Sequence, residues 1–250
     1  QEIKNYINFV WLSPYMDKIM YEGQTLKRNF IDKMISQNDK CFSKSIITFK
    51  KYAQERLEIL KKSKDRKWLD IIEGKIAEKI YEVFNIRRVY AEEINRLINI
   101  KLNKFRAVQI EFENDLYSKT NDKVSILNLF IKKLKELRHL DEVSKRTNFG
   151  INSDQVIFVD KKNNLNTDIC STGEQKSCLL TIILANCWKL KNNNNDFILL
   201  LDEATSHIDE SNFEKLFNEV DKFDTQIWYT GINKKMFQVI ENKGFFIHLD

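Results

Sequence analysis

At 250 residues, with 42% hydrophobic and 31% charged side chains, the chain can build one large packed domain or two modest ones and is too apolar for a disordered polymer. No apolar run reaches the roughly 18–20 residues that span a bilayer, and nothing near Gln1 resembles a signal peptide, so the expectation is a cytoplasmic protein without a membrane partner, starting inside a fold. Its net charge of +5 is unevenly spread, with 31 Lys+Arg against 21 Asp+Glu over residues 1–149 and 10 against 15 over residues 150–250.

Residues 5–12 read as a short apolar strand closed by Ser13-Pro14, because a residue before proline avoids the helical region. A helix pattern starts near Thr25 and sets Phe30, Ile31, Met34 and Ile35 on one face. From Ser43 to about Leu102 the spacing predicts two or three long helices. Ile46, Phe49, Tyr52, Ala53, Leu57 and Leu60 form one stripe; after the charged stretch Lys61 to Lys67, Leu69, Ile72, Ile76, Ile80, Val83 and Phe84 form another. Between Lys44 and Lys104 there are 16 Lys+Arg against 9 acids, which makes this the basic part. Such a helical face suits a polyanion, since Lys and Arg displace the counterions condensed on phosphates. It also suits plain solvation, because Lys is a good helix former.

Val108, Ile110 and Phe112 alternate with polar residues as a half-buried strand does. Ile126, Leu127, Phe130, Leu134 and Leu137 return to helical spacing, and Val156 to Val159 is a short β-type run. The pattern then becomes α/β: a helix from about Gly173 to Lys191, a strand Phe197 to Leu201, a helix near Glu210 to Val220, a strand Gln226 to Tyr229, a short helix near Lys235 to Ile240 and a strand Phe245 to His248. Alternating strands and helices imply a largely parallel sheet, and the unbroken run Phe-Ile-Leu-Leu-Leu predicts a strand covered on both faces.

Two segments can carry chemistry. Asp202 and Glu203 directly follow the strand ending at Leu201, the edge where open α/β sheets take their ligands. An aspartate there can hold Mg²⁺ against nucleotide phosphates, and a following acid can orient the attacking water; an acidic turn after a buried strand is the plain alternative. Ser171 and Glu174 form a capping box ahead of an apolar helix. The same helix start also offers free N–H groups to an anion, with Gly173 keeping the approach open. A separation of 29 residues from Gly173 to Asp202 fits one helix, a loop and a strand, and Ser206-His207-Ile208-Asp209 follows. That order resembles the signature, Walker B and D-loop of an ABC-type ATPase. The six glycines never approach each other closely enough to build a phosphate loop beside a Lys-Ser or Lys-Thr pair. Four cysteines without a CxxC pair predict reduced thiols and no metal site among them.

Further segments narrow the likeness. Val10-Trp11-Leu12-Ser13-Pro14 with Lys27-Arg28-Asn29-Phe30-Ile31-Asp32, then Gln54 to Lys61 with Trp68-Leu69-Asp70, then Arg146-Thr147 to Gly150 and Asp154 resemble, in order, the RecF family of DNA repair proteins. The chain departs from the family pattern at Ile151-Asn152-Ser153 and in having Glu203 for a second aspartate. The fold implied is α/β plus an α-helical domain: the C-terminal part of an ABC- or SMC-like ATPase head with a long helical insertion. The implied division is 1–24, the end of the first ATPase subdomain; 25–145, the basic helical domain; and 146–250, the C-terminal lobe.

The resemblance implies a recombination mediator that binds ATP, Mg²⁺ and single-stranded or gapped DNA, dimerises on ATP and works with partners such as RecR. Asp202 would hold the metal and Glu203 act as base, while Ser171, Thr172, Gly173 and Gln175 would reach the γ-phosphate of a second protomer and Asp209 would link the two sites. Lys61, Lys62, Lys64, Arg66, Lys67, Arg87 and Arg88 are the DNA-contact candidates, and Trp68 and Tyr90 could stack on bases or belong to the core. ATPase activity would require a Walker A-containing region completing the chain. The alternatives are a non-catalytic DNA- or partner-binding module and the head of an SMC-like protein. A transporter nucleotide-binding domain ranks lower, because Ala204 stands where proline is usual and the helical region is long.

Overall fold

A computed structural model describes residues 7–62, 65–119, 122–203, 210–231, 235, 237 and 244–247. The elements are β1 (Asn8–Leu12), α1 (Lys18–Tyr21), α2 (Gln24–Asn38), α3 (Lys40–Lys62), α4 (Arg66–Lys101), β2 (Val108–Glu113), α5 (Lys123–Glu136), α6 (Arg138–Ser144), β3 (Gln155–Asp160), β4 (Leu165–Asn166), α7 (Thr172–Asn192), β5 (Phe197–Leu201), α8 (Glu210–Val220) and β6 (Gln226–Tyr229). They form two compact units. The first holds residues up to 22, 94–109 and 159 onward; the second holds 23–93 and 110–158. The units divide after residues 22, 93, 109 and 158, against the expected division at 24/25 and 145/146, so residues 94–109 fall outside the helical unit and 146–158 within it. Periodicity marks where a helix runs, not which partners it packs against, and α4 continues through residue 93 without a break.

In the first unit β5 pairs in parallel with β1 on one side and β6 on the other. α7 is buried almost all round from Cys178 to Leu190, as a helix inside a core must be, and it packs against β1 and the turns Pro14–Asp17 and Thr167–Ile169. On β5, Phe197, Leu199 and Leu201 are buried while Ile198 and Leu200 are half-buried. The expected strand covered on both faces is thus fully covered on one. No strand is present at residues 244–247, and the remainder of the expected final helix and strand lies mostly outside the described residues. A second sheet has the order β2-β3-β4.

The second unit is mainly helical. α3 and α4 run as an antiparallel pair, with Lys75 of α4 over the Tyr52 ring of α3 at 5.6 Å. Phe84 stacks on Tyr117, which meets Phe130 edge to face, and Phe130 packs at a tilt on Phe149. A Cβ on Gly150 would run into the Phe49 ring, so any larger residue there would have to displace that ring.

Two fully buried arginines fasten these helices. Arg56 donates from Nε to Glu73 at 2.9 Å, from Nη1 to Asp141 at 2.6 Å and from Nη2 to the Leu134 carbonyl at 2.7 Å. Arg87 forks onto both Asp32 oxygens at 2.8 Å and donates to Asp154 at 2.6 Å, while Arg28 donates to the Asp154 carbonyl at 2.8 Å. Burial pushes the Asp154 carboxyl up against the opposing pull of the Arg87 guanidinium. Arg87 is therefore not available to DNA, which corrects its place among the contact candidates: its side chain is 1% exposed.

Removing one partner of a buried ion pair leaves an uncompensated charge. Arg56→Met, which leaves Asp141 in the core with only the Asn148 donors while Glu73 keeps Arg138, is expected to cost about 3–5 kcal/mol in urea unfolding. Lys62→Ala at its exposed pair with Glu58 should change stability by less than about 1 kcal/mol. Equal effects from the two substitutions would contradict this account of the core.

Candidate functional site

The register of the parallel sheet aligns the carboxyl ends of three strands. Leu12 faces Leu201, which faces Tyr229. The ladder runs one step further: the Asp202 N–H donates to the Leu12 carbonyl at 2.9 Å and the Thr230 N–H to the Leu201 carbonyl at 3.0 Å. Asp202 and Glu203 are thereby presented, exposed, at the sheet edge where α/β proteins bind ligands. Thr230 holds them there. Its hydroxyl donates to Asp202 Oδ1 at 2.6 Å and accepts from the Glu203 N–H at 2.8 Å. Glu203 sits at φ 50°, a left-handed conformation that a non-glycine residue adopts only when its surroundings impose it.

The start of α7 is built as the capping box requires. Ser171 Oγ accepts from the Glu174 N–H at 3.4 Å, and Glu174 Oε2 accepts from the Ser171 N–H at 2.9 Å. Among the described residues no partner takes the N–H groups of Thr172 and Gly173, and a Cβ on Gly173 would meet open space. These donors can serve an anion. Glu174 is tied further: Oε1 accepts from Arg106 at 2.8 Å and from Asn163 at 3.0 Å. Arg106 also forks onto Asp160 at 2.9 and 2.7 Å. Hydrogen bonding by Ser171, with help from Arg106 and Asn163, holds the Glu174 carboxyl down at about 2. The Asp160 carboxylate in turn raises Arg106, and burial pushes the Cys178 thiol up to about 12.

The two segments share one cleft. Gly173, Lys176 and Ser177 line it with Asp202 and Glu203, Ser13 and Asp17 add to its rim, and Leu179, Leu180 and Leu201 contribute apolar surface. Among the described residues no group of three His, Cys, Asp or Glu could hold a metal by itself. The pair Asp202 and Glu203 fits Mg²⁺, which takes one or two carboxylates together with phosphate oxygens and water rather than an all-protein cage.

The sequence-predicted residues fall into three groups. Gly173, Asp202 and Glu203 line the cleft and are exposed, and Ser171 and Thr172 are exposed immediately before Gly173 in the chain. Gln175, by contrast, is buried, and its amide donates to the Thr167 carbonyl at 2.8 Å, fastening α7 inward. A γ-phosphate contact by Gln175 is corrected on that ground. Asp209 and Lys64 lie outside the described residues. Of the basic candidates, Lys61, Lys62, Arg66, Lys67 and Arg88 are exposed or half-buried. Arg88 pairs with Glu92 at 3.7 Å and lies roughly 33 Å along α4 from Arg66 at 1.5 Å per residue. Tyr90 is core at 3% exposure, whereas Trp68 is 51% exposed.

Thr230, Arg106 and Lys176 were not singled out from sequence. Thr230 could have been found, since it follows its strand as Asp202 follows the neighbouring one; Arg106 meets Asp160 and Glu174 only through the fold.

No family model matches the chain. Curated relatives do. The DNA replication and repair protein RecF of Rickettsia rickettsii (strain Sheila Smith) is 30% identical over 251 residues, covering 99% of this chain and 70% of the relative. RecF of Rickettsia felis is 30% identical over the same length and 69% covered. Among solved structures, the recombination mediator protein RecF of the RecFOR pathway matches with a TM-score of 0.74 both with ATPrS and with ATP, at 20% and 21% identity. These matches cover 93% and 91% of this chain but 64% and 62% of the solved chains, so the chain spans somewhat less than two thirds of those structures. The fold is of the class expected, α/β plus a helical part, and it is the fold of those solved RecF structures.

Glu174 supplies a pH test of the cap. Its folded value, about 2, lies below the usual 4.5, so the stabilisation is full above the unfolded value and is lost as pH falls from 4.5 toward 2. A carbon-detected NMR titration should place the Glu174 midpoint near 2, and Arg106→Gln should raise it. A midpoint at the usual value in the unaltered chain would contradict the capping geometry.

Proposed function

The chain belongs to the RecF family, and on that premise we propose that it is a DNA replication and repair protein, a cytoplasmic recombination mediator that binds ATP with Mg²⁺ and binds single-stranded or gapped DNA. It dimerises on ATP, acts with partners such as RecR, and assists loading of recombinase at gapped DNA. One observation carries the reading: the paired carboxylates after β5 stand exposed at the carboxyl edge of the parallel sheet, where α/β proteins bind their ligands, with the Thr230 hydroxyl holding them there.

In this reading Asp202 holds Mg²⁺, with its carboxylate oriented by the Thr230 hydroxyl. Mg²⁺, when bound, spreads the charge of the β- and γ-phosphates. Glu203 orients and deprotonates the attacking water. The Thr172 and Gly173 N–H groups, set by Ser171 and Glu174, approach the γ-phosphate from a second protomer, where helix-end donors favour negative charge. Asp209 links the two sites. Loss of the shared γ-phosphate contact on hydrolysis opens the dimer, a two-state element biased by its ligand. The basic helical unit follows phosphate backbones without reading sequence.

In protein that also carries a phosphate loop, Glu203→Gln should leave ATP binding intact, reduce turnover by at least roughly a hundredfold and accumulate the ATP-bound dimer in light scattering. Unchanged turnover would remove Glu203 as base. For the DNA half of the reading, affinity for gapped DNA should fall steeply between low and moderate salt, as counterion release requires. Salt-independent binding would contradict it.

A further inference from the structure

We propose that the C-terminal end of α3 and the start of α4, here called the tip, dock an unpaired nucleobase of a single-stranded nucleic acid, with the Trp68 indole as the stacking surface and Lys61, Lys62, Arg66 and Lys67 as the phosphate contacts. This deepens the DNA-binding part of the reading above and rests on it.

The geometry starts from the pairing of the two helices. Arg56 of α3 meets Glu73 of α4 at 2.9 Å, and Tyr52 of α3 lies under Lys75 of α4. Each step toward the tip on one antiparallel helix is matched by a step back on the other, so Lys61 and Lys62 come beside Arg66 to Trp68. Register then decides which residues face out. Leu69 and Ile72 enter the core at 3% and 2% exposure, which turns Trp68 and Ile71 outward at 51% and 54%. Residues three apart on a helix are neighbours, so indole and isoleucine form one apolar surface at the start of α4.

The charge around this surface is mostly positive. Lys61 and Lys62 share Glu58, at 3.6 and 3.0 Å. Arg66 and Lys67 make no side-chain ion pair among the described residues. The Asp65 carboxylate caps α4, accepting from the Lys67 and Trp68 N–H groups at 2.9 and 3.2 Å. Asp70 is drawn away to Lys135 and Arg138, at 3.0 and 2.7 Å. An exposed flat ring among cations matches a strand whose phosphates and bases alternate, and stacking on an aromatic is indifferent to which base is present. A duplex satisfies the cations but keeps its bases stacked inside, and an acidic peptide has no use for the indole.

The test measures binding of the chain to a fluorescein-labelled mixed-sequence single strand and to the corresponding duplex, by anisotropy. Trp68→Ala should weaken binding to the strand roughly ten- to a hundredfold and binding to the duplex by less than about threefold. Trp68→Phe, which keeps a stacking ring, should restore most of the loss. Arg66→Gln with Lys67→Gln should weaken both ligands and flatten the salt dependence by about one to two counterions. Circular dichroism checks that these surface variants stay folded. Equal loss for strand and duplex, no loss for either, or competition by polyglutamate as effective as by the strand would overturn the tip while leaving the DNA reading in place. If the unaltered chain binds neither nucleic acid, both fall.

Discussion

The parallel register of β1, β5 and β6 is the constraint from which the rest of the candidate site follows. Parallel strands present all their carboxyl ends on one edge, and here the row Leu12, Leu201, Tyr229 sets that edge. Every residue immediately beyond it inherits a fixed position. Ser13 turns the chain into the wall of the cleft, Asp202 and Glu203 form its acidic rim, and Thr230 arrives close enough for one hydroxyl to bind both the carboxylate and the next amide. A slip of one residue would turn each of these side chains to the other face. Because α7 leads into β5 through a short loop, its start returns to the same edge, so one piece of topology delivers both the acids and the helix N–H groups.

The helical unit is organised by a different interaction, the fork of a buried guanidinium onto carboxylates. Arg56 gathers α3, α4 and α6, and Arg87 gathers α2, α4 and the turn before β3. Planar, bidentate pairing fixes angle as well as distance, which suits residues that must set the crossing of long helices. Several segments that carry the family likeness, Arg28 to Asp32, Arg56, Gly150 and Asp154, therefore act as fasteners of the fold. The proposed chemistry falls instead on the few residues after β5 and at the start of α7.

What could be read in advance follows the range of the forces involved. Local signals were legible: the capping box at Ser171 and Glu174, the apolar run of β5, the acids after it and the stripe of α4 all appear as residues spaced along one segment. Pairings between distant segments were not. Gln175 looks like part of an open polar turn until Thr167 is brought beneath it. Arg87 and Arg88 are adjacent cations in sequence, yet a rotation of about 100° on the helix puts one into the core and its neighbour into solvent. Trp68 and Tyr90 were equally ambiguous, and the register of α4 separates them. Arg106, which joins Asp160 to Glu174, left no local trace at all.

The central claim is that the edge beyond β5 of one protomer and the start of α7 of its partner receive the same nucleotide. Paramagnetic broadening by Mn²⁺ and ATP, read on the backbone amides of the chain in protein that carries the phosphate loop, tests it directly. The account predicts selective broadening at Asp202, Glu203, Thr172 and Gly173, reversed by excess Mg²⁺. Broadening at Asp202 and Glu203 without any effect on Thr172 and Gly173, or broadening confined to acids elsewhere on the surface, would contradict it.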